Sequence, residues 1–248
     1  MGIIRNKKAF FAFLLPGLLF YILAVFYPIR MSFMKWNGIG DKEFVGLSNY
    51  IDMFHDKVFF TSFFNNLIYL VIVVVMQLSI GLLFAILLTY MTKRVTLVKT
   101  LYYVPCIITT VAIAQLFRSV YSTEPMGLLN QFLQFIGLDH MVTSWLANVG
   151  TALAAVSVPE GWRFTGMYMV IFYAALVSLD PSVYEAAKVD GASEMQILFR
   201  IKLPLIKDII LLTLTMCLTG ALRGFDIPFL LTSGGTRKCQ RTDVHLYV

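Results

Sequence analysis

The sequence predicts an all-α integral membrane protein. Of the 248 residues, 58% are hydrophobic and only 14% are charged, whereas a soluble domain usually carries about 25% charged residues. The apolar residues are grouped in several runs of about 20, the length that an α-helix needs to cross a bilayer. Phenylalanine (21) and tyrosine (12) are abundant, as expected for lipid contact and for aromatic belts at the membrane interfaces.

Five apolar runs predict five transmembrane helices. The first run follows the basic residues Arg5, Lys7 and Lys8. It is longer than a usual signal-peptide core and lacks a small-residue cleavage site, so we interpret it as an uncleaved span. The third span has Pro105 near its start. The predicted spans are residues 9–27, 65–90, 101–120, 151–179 and 209–231.

The distribution of Lys and Arg predicts that the N-terminus is cytoplasmic. With this orientation the cytoplasmic segments carry ten basic residues and the first two outer loops carry four, in agreement with the positive-inside rule. This asymmetry accounts for the net charge of +6. Nucleic-acid binding is the weaker interpretation of that charge, because no basic face or known motif gathers it.

The segment between the fourth and fifth spans predicts two short helices that meet at a corner. Asp180 can cap the first helix, and the proline after it suits the first helical position. Gly191 can end this helix with a positive φ, and Ser193 with Gln196 forms a capping-box pattern for the next. Pro204 interrupts the second helix. Such an elbow suits either insertion into a groove of a partner or an amphipathic position on the membrane surface.

The spacing in this segment resembles the EAA signature of ABC importer permeases. In that signature E-A-A is followed by three residues, a glycine, nine residues and I-x-L-P. The matching residues are Glu185, Ala186, Ala187, Gly191, Ile201, Leu203 and Pro204. Asp190, which precedes the glycine, is included with them as a candidate ATPase-coupling residue.

Further stretches resemble the carbohydrate-uptake branch of these permeases, the maltose and glycerol-3-phosphate type. They are residues 162–169 (W-R-F-T-G-M-Y-M), 44–50 (F-V-G-L-S-N-Y), 203–206 (L-P-L-I), 225–226 (F-D) and 230–235 (L-L-T-S-G-G). The resemblance therefore extends over nearly the whole chain and implies the type I ABC importer transmembrane fold.

The resemblance implies a permease subunit in the bacterial inner membrane that forms half of the translocation pathway for a sugar. The implied partners are a second permease subunit, usually a different chain, an ATPase dimer, an extracellular substrate-binding protein and the lipid bilayer. The sequence contains no G-x-x-x-x-G-K-[ST] loop to hold ATP phosphates. We therefore expect a transport subunit without catalytic activity or a cofactor, with ATP and Mg²⁺ on a separate ATPase chain.

Two other classes of membrane protein are disfavoured. A secondary carrier would need inverted repeats or paired broken helices, and the sequence has no such pairing. A membrane-embedded enzyme would need a convergent catalytic set, whereas His55, His140 and His245 are scattered through loops and the tail.

Polar residues inside the predicted spans are candidates for the substrate path. Charges in hydrocarbon usually face a bundle interior or a cavity. Glu160 and Arg163 are three residues apart and could pair, and Trp162 offers a stacking surface for a sugar. Gln77 and Gln115 are weaker candidates. The alternative is a structural pair near an interface, beside the kink expected at the preceding proline.

The resemblance ends after Gly235. Relatives usually continue with Pro-Gly-Asn and a sixth span, whereas residues 236–248 form a short basic tail. We therefore expect a permease domain over residues 1–235 and an aberrant tail. One permitted back-translation of the tail, shifted by one nucleotide, reads P-G-N-A-S-E-L-M, which fits a frameshift. A naturally short variant is the alternative.

Overall fold

The structure is a computed structural model that describes residues 7–232, and side chains from residue 14 onward. The predicted aberrant tail, residues 236–248, lies outside the described residues. Within the chain, residues 1–60 and residues 61–248 form two compact units, and each is considered by itself.

The N-terminal unit consists of a long helix, a short ribbon and a small helix. Helix α1 (Lys7–Ser32) is followed by the antiparallel strands β1 (Met34–Lys35) and β2 (Glu43–Phe44), and then by α2 (Ser48–His55). Asn49 ties them together, because its Nδ2 donates to the carbonyl oxygens of Ser32, at 2.9 Å, and Met34, at 3.1 Å. Residues 44–50 thus connect α1, the ribbon and α2 within the N-terminal unit.

The second unit is built from long apolar helices. Its elements in chain order are α3 (Lys57–Thr89, which begins just before the unit boundary), α4 (Val95–Ile107), α5 (Thr110–Tyr121), α6 (Leu128–Phe135), a 3₁₀ turn (Asp139–Met141), α7 (Val149–Val177), α8 (Pro181–Val189), α9 (Glu194–Ile197), a π-helical turn (Leu198–Lys202), α10 (Leu203–Leu205), α11 (Lys207–Leu222) and α12 (Asp226–Thr232).

Helix α7 lies at the centre of this unit and contacts α4, α5, α11 and α12. The core is apolar, with Tyr69 from α3, Met169 and Phe172 from α7, and Cys217 from α11 almost fully buried. Glycines on α7 and α3 allow close approach, since small residues replace bulky ones where membrane helices touch. The outer faces of the helices remain apolar and exposed, as expected for surfaces that meet lipid or another subunit.

By length and composition, up to five membrane spans are present in the described part of the chain. Residues 14–32 of α1 and the whole of α3 qualify alone. Three bent pairs qualify together: α4 with α5, α7 with α8, and the segment Glu194–Leu205 with α11. The predicted second and fourth spans, residues 65–90 and 151–179, correspond to α3 and α7. The all-α prediction is confirmed.

Two predicted spans are not continuous helices. The predicted third span, residues 101–120, is broken by a 96° bend between α4 and α5. Ile108 and Thr109 are extended there, and the Thr109 hydroxyl caps α5 by accepting from the Ala112 amide at 3.4 Å. The predicted fifth span, residues 209–231, ends early, because α11 stops at Leu222 and α12 begins separately at Asp226.

Candidate functional sites: the elbow and a buried polar cluster

Residues 180–205 form the elbow. Its first arm is α8, which begins with a side-chain cap. The Asp180 carboxylate accepts a hydrogen bond from the Ser182 amide at 3.0 Å, and Pro181 occupies the first helical position of α8. This hydrogen bond to the charged form lowers the pKa of Asp180 below its ordinary value. Both sequence predictions for the start of this helix are confirmed.

The corner of the elbow is fixed by Gly191 and a capping box. Gly191 has a φ of +82°, and its amide donates to the Lys188 carbonyl at 3.0 Å. The Ser193 hydroxyl accepts from the Gln196 amide at 3.3 Å, while the Ser193 amide donates to Oε1 of Gln196 at 2.8 Å. The predicted capping box is therefore confirmed.

An ion pair closes the corner. Nζ of Lys188 lies 2.6 Å from Oε1 of Glu194. The hydrogen bond between them raises the pKa of Lys188 and lowers the pKa of Glu194. Lys188 therefore loses its proton only at a pH above the ordinary pKa of lysine, and Glu194 becomes neutral only at a pH below the ordinary pKa of glutamate. Both charges, and therefore the pair, persist throughout the neutral range.

The second arm is not one regular helix. After α9 the chain widens into the π-helical turn, in which the Leu203 amide donates to the Leu198 carbonyl. Pro204 follows in α10, where it has no amide hydrogen to donate. The axis then bends by 67° before α11. The predicted interruption falls two residues later than expected, because the helical segment continues through Pro204 to Leu205 and breaks at Ile206. The π-helical turn was not predicted.

The side chains of the elbow are divided between two directions. Glu185, Ala186 and Asp190 are exposed, whereas Ala187 is only half-exposed. Ile201 and Leu203 are also half-buried, and Leu203 packs against the hydrophobic core. The adjacent alanines of the predicted coupling set therefore have different surroundings, because successive residues on a helix are about 100° apart.

Three exposed apolar side chains on the elbow were missed by the sequence reasoning. Val189 is 88% exposed at the end of α8, and Met195 and Phe199 are also mostly exposed. The signal in the sequence was the presence of apolar residues among charged ones in a connecting segment. These side chains add apolar area to the exposed surface of the elbow.

A second candidate site lies between α3 and α7. Nε2 of Gln77 donates to the backbone carbonyl of Glu160 at 3.0 Å, and these residues are only 3% and 9% exposed. Both line a cavity of about 220 Å³, together with Tyr168 and the α11 residues Met216 and Gly220. The structure therefore brings two of the five predicted substrate-path residues together.

The predicted pairing of Glu160 with Arg163 is wrong. In the region the structure covers, no oxygen of Glu160 lies within 4.0 Å of an Arg163 nitrogen. Instead, Nη1 of Arg163 donates to the Thr110 hydroxyl at 3.0 Å, and the guanidinium lies 4.9 Å from the ring centroid of Phe164. Glu160 faces α3 and α11, whereas Arg163 reaches the α4–α5 bend. The two residues therefore contact different helices.

Trp162 and Gln115 do not line the cavity. Trp162 packs edge-to-face on Phe117, with ring centroids 5.7 Å apart, and retains 36% exposure. Gln115 is exposed on α5. These two residues are therefore available to a neighbour rather than to the interior of this unit.

A largely apolar groove on α11 that carries two threonines extends beyond the predicted residues. It has a volume of about 590 Å³ and shares Met216 and Gly220 with the smaller cavity. Thr215, Thr219 and Arg223 also line it. The signal that could have revealed this groove was the i, i+4 threonine pair within an apolar run, which places two hydroxyls on one helix face.

Comparison with known proteins assigns the class. Residues 58–238 match the model of the family described as "Binding-protein-dependent transport system inner membrane component". The chain belongs to this family. The predicted resemblance to ABC importer permeases is therefore confirmed.

Relatives and solved structures agree with this assignment. The chain is 35% identical to "Probable ABC transporter permease protein YurN" of Bacillus subtilis, over 94% of this chain and 82% of that protein. It is 31% identical to the arabinooligosaccharides transport system permease protein AraP of Halalkalibacterium halodurans, over 89% of this chain and 70% of that one. A bacterial ABC transporter involved in the import of alginate shares the fold, with a TM-score of 0.77, 25% identity, and coverage of 96% and 81% of the two chains.

Proposed function

We propose that this chain forms half of the translocation pathway of an importer for a sugar, of the mono- or oligosaccharide or glycerol-phosphate type. Relatives named as permeases for arabinooligosaccharides and for lactose support a sugar as the substrate class. The observation that carries the proposed mechanism is the elbow, an internally capped corner that exposes Ala186, Val189 and neighbouring apolar groups.

In this proposal the elbow docks on a separate ATPase subunit. Glu185, Ala186 and Asp190 lie on the exposed surface, together with the apolar side chains that follow them. Gly191 sets the corner. The elbow is joined to the bundle through Ala187, Ile201, Leu203 and Pro204. A movement of the docked ATPase is therefore transmitted to α11. Small residues such as the two alanines permit close approach of a partner.

The remaining partners follow from this assignment. ATP and Mg²⁺ belong to the ATPase dimer, and this chain binds no cofactor. A second permease, usually a different chain, completes the pathway, and an extracellular binding protein delivers the substrate. The elbow and the N-terminus lie in the cytoplasm, in keeping with the distribution of basic residues.

The polar cluster and the α11 groove form the proposed substrate path. Sugars present many hydroxyls, and carboxylate, amide and hydroxyl groups on a cavity wall can bind them. Gln77, Glu160, Thr215 and Thr219 supply such groups. Trp162 and Gln115 remain candidates on the surface that meets the second permease. Arg163 contributes to this path indirectly, because its hydrogen bond to Thr110 stabilises the bend before α5.

Cysteine crosslinking tests the docking role. In a complex whose native cysteines are replaced by alanine, we expect Ala186→Cys and Val189→Cys to crosslink to the ATPase subunit, because both positions are exposed. Phe44→Cys, which is exposed on the N-terminal ribbon, is the matched control and should not react with it. An active complex in which the elbow positions give no crosslink to the ATPase would contradict the proposal.

A further inference from the structure

A lysine and two tyrosines join the elbow to the membrane helices. Nζ of Lys202 lies 4.7 Å from the ring centroid of Tyr184 and 5.9 Å from that of Tyr90. Both distances are within the range of cation–π attraction. We refer to Tyr90, Tyr184 and Lys202 as the tyrosine–lysine clamp.

The clamp joins three separate elements. Tyr184 lies on α8, the first arm of the elbow, and Lys202 ends the π-helical turn of the second arm. Tyr90 follows directly after the last residue of α3. One ammonium group therefore contacts both arms of the elbow and the end of a long membrane helix.

The exposure of α8 identifies Tyr184 as its inward contact. Only Tyr184 and Ala187, three residues apart, are half-buried on this helix, and its other side chains are exposed. The alanine offers a single methyl group, whereas the tyrosine offers an aromatic face. Short non-helical segments connect α8 to its neighbours in the chain. The side chain of α8 that contacts Lys202 is the ring of Tyr184.

The charge of Lys202 also reaches the corner of the elbow. The hydrogen bond from Lys188, and then the positive charges of Lys188 and Lys202, lower the pKa of Glu194. Lys202 therefore acts on Glu194 electrostatically, whereas the ion pair among the described residues is formed by Lys188. Replacing Lys202 by a neutral residue would remove the attraction to both rings while leaving the Lys188–Glu194 pair in place.

We propose that Lys202 is a positioning residue for coupling, which holds α8 against the second arm of the elbow and the end of α3. This inference rests on the proposed docking of the elbow on an ATPase. A displacement of α8 by the ATPase is transmitted through the clamp to two membrane helices at once. Without the clamp, α8 moves with the ATPase while the membrane helices follow less completely.

Matched substitutions separate the clamp from a simple structural role. Tyr184→Phe retains the aromatic face and Tyr184→Leu removes it, while Lys202→Arg retains the charge and Lys202→Met removes it. The readout is the amount of substrate transported per ATP hydrolysed by the complex in proteoliposomes. We expect Tyr184→Leu, which loses one exposed cation–π contact, to lower this ratio about two- to fivefold. Lys202→Met loses both contacts and should lower it at least as much. Tyr184→Phe and Lys202→Arg should keep the wild-type ratio.

Copurification of the ATPase distinguishes a failure of the proposed docking from a failure of the clamp. If the wild-type chain binds no ATPase, the proposed function fails. If the wild-type chain binds it, an unchanged transport ratio in Tyr184→Leu and Lys202→Met overturns the clamp alone, as does an equal loss in Tyr184→Phe and Tyr184→Leu. Should Tyr184→Leu no longer hold the ATPase, Lys202→Met decides, because that substitution leaves the surface of α8 unchanged.

Discussion

Gly166 is the residue at which α4 and α7 approach most tightly among the glycines that the structure describes. A Cβ atom at this position would overlap the carbonyl oxygen of Tyr102. The obstructing atom belongs to the backbone and cannot rotate away. A single methyl group would therefore push the two helices apart.

We expect Gly166→Ala to lower the free energy of unfolding in detergent by about 1–3 kcal/mol or more, the usual cost of overpacking a core. Thermal unfolding followed by circular dichroism measures this effect. Gly220→Ala is the matched control, because nothing lies within 4 Å of a Cβ added there. Equal melting temperatures for the two variants would show that α4 and α7 separate without cost.

Gly191 is required for its backbone conformation and not for space. No atom lies within 4 Å of a Cβ added at this position, but its φ of +82° is inaccessible to proline. Proline would also remove the hydrogen bond from the Gly191 amide to the Lys188 carbonyl. The corner of the elbow would therefore open.

We expect Gly191→Pro to insert normally in the membrane and to lose substrate-stimulated ATP hydrolysis in the assembled complex. Gly191→Asn should retain much of it, since asparagine tolerates the left-handed region better than other residues with a side chain. Normal stimulation in the proline variant would refute a role of the corner in coupling.

At the scale of elements, the bend between α4 and α5 is held by α7. Arg163 donates to the Thr110 hydroxyl at the first residue of α5, so the fourth predicted span stabilises the break in the third. Arg118 makes a similar link, because it donates to the Leu230 carbonyl of α12. Arginines in these spans thus join helix ends.

We expect Thr110→Val to destabilise the protein by about 1 kcal/mol, because it leaves a half-buried guanidinium group without this acceptor. Thr110→Ser keeps the hydroxyl and should restore the wild-type melting temperature. Thermal unfolding in detergent compares the three proteins. If valine and serine have the same small effect, the contact with Arg163 contributes little to the bend.

At the scale of the whole molecule, the distribution of charge predicts the orientation in the membrane. The exposed residues Phe44 and Val189 lie in segments that this orientation places on opposite sides. We expect Phe44→Cys to react with a membrane-impermeant thiol reagent in intact spheroplasts. Val189→Cys should react only in inverted vesicles. Reaction of both positions from the same side would contradict the predicted orientation.

Local features were determined by the sequence alone. The all-α class, the cap at Asp180, the corner at Gly191 and the capping box of Ser193 with Gln196 were all predicted correctly. Each of these depends on contacts within a few residues or on transfer of apolar side chains into lipid. Nearest neighbours and composition are sufficient to decide such features.

The tertiary structure decided which distant residues meet. Gln77 and Glu160 are 83 positions apart, and Arg163 reaches a threonine 53 positions away. The predicted ion pair of Glu160 with Arg163 failed because side-chain spacing on one helix does not reveal what packs against each face. The breaks near Thr109 and Arg223 and the cavity between three helices likewise depend on how helices pack, which is set by shape and by polar groups brought together from remote parts of the chain.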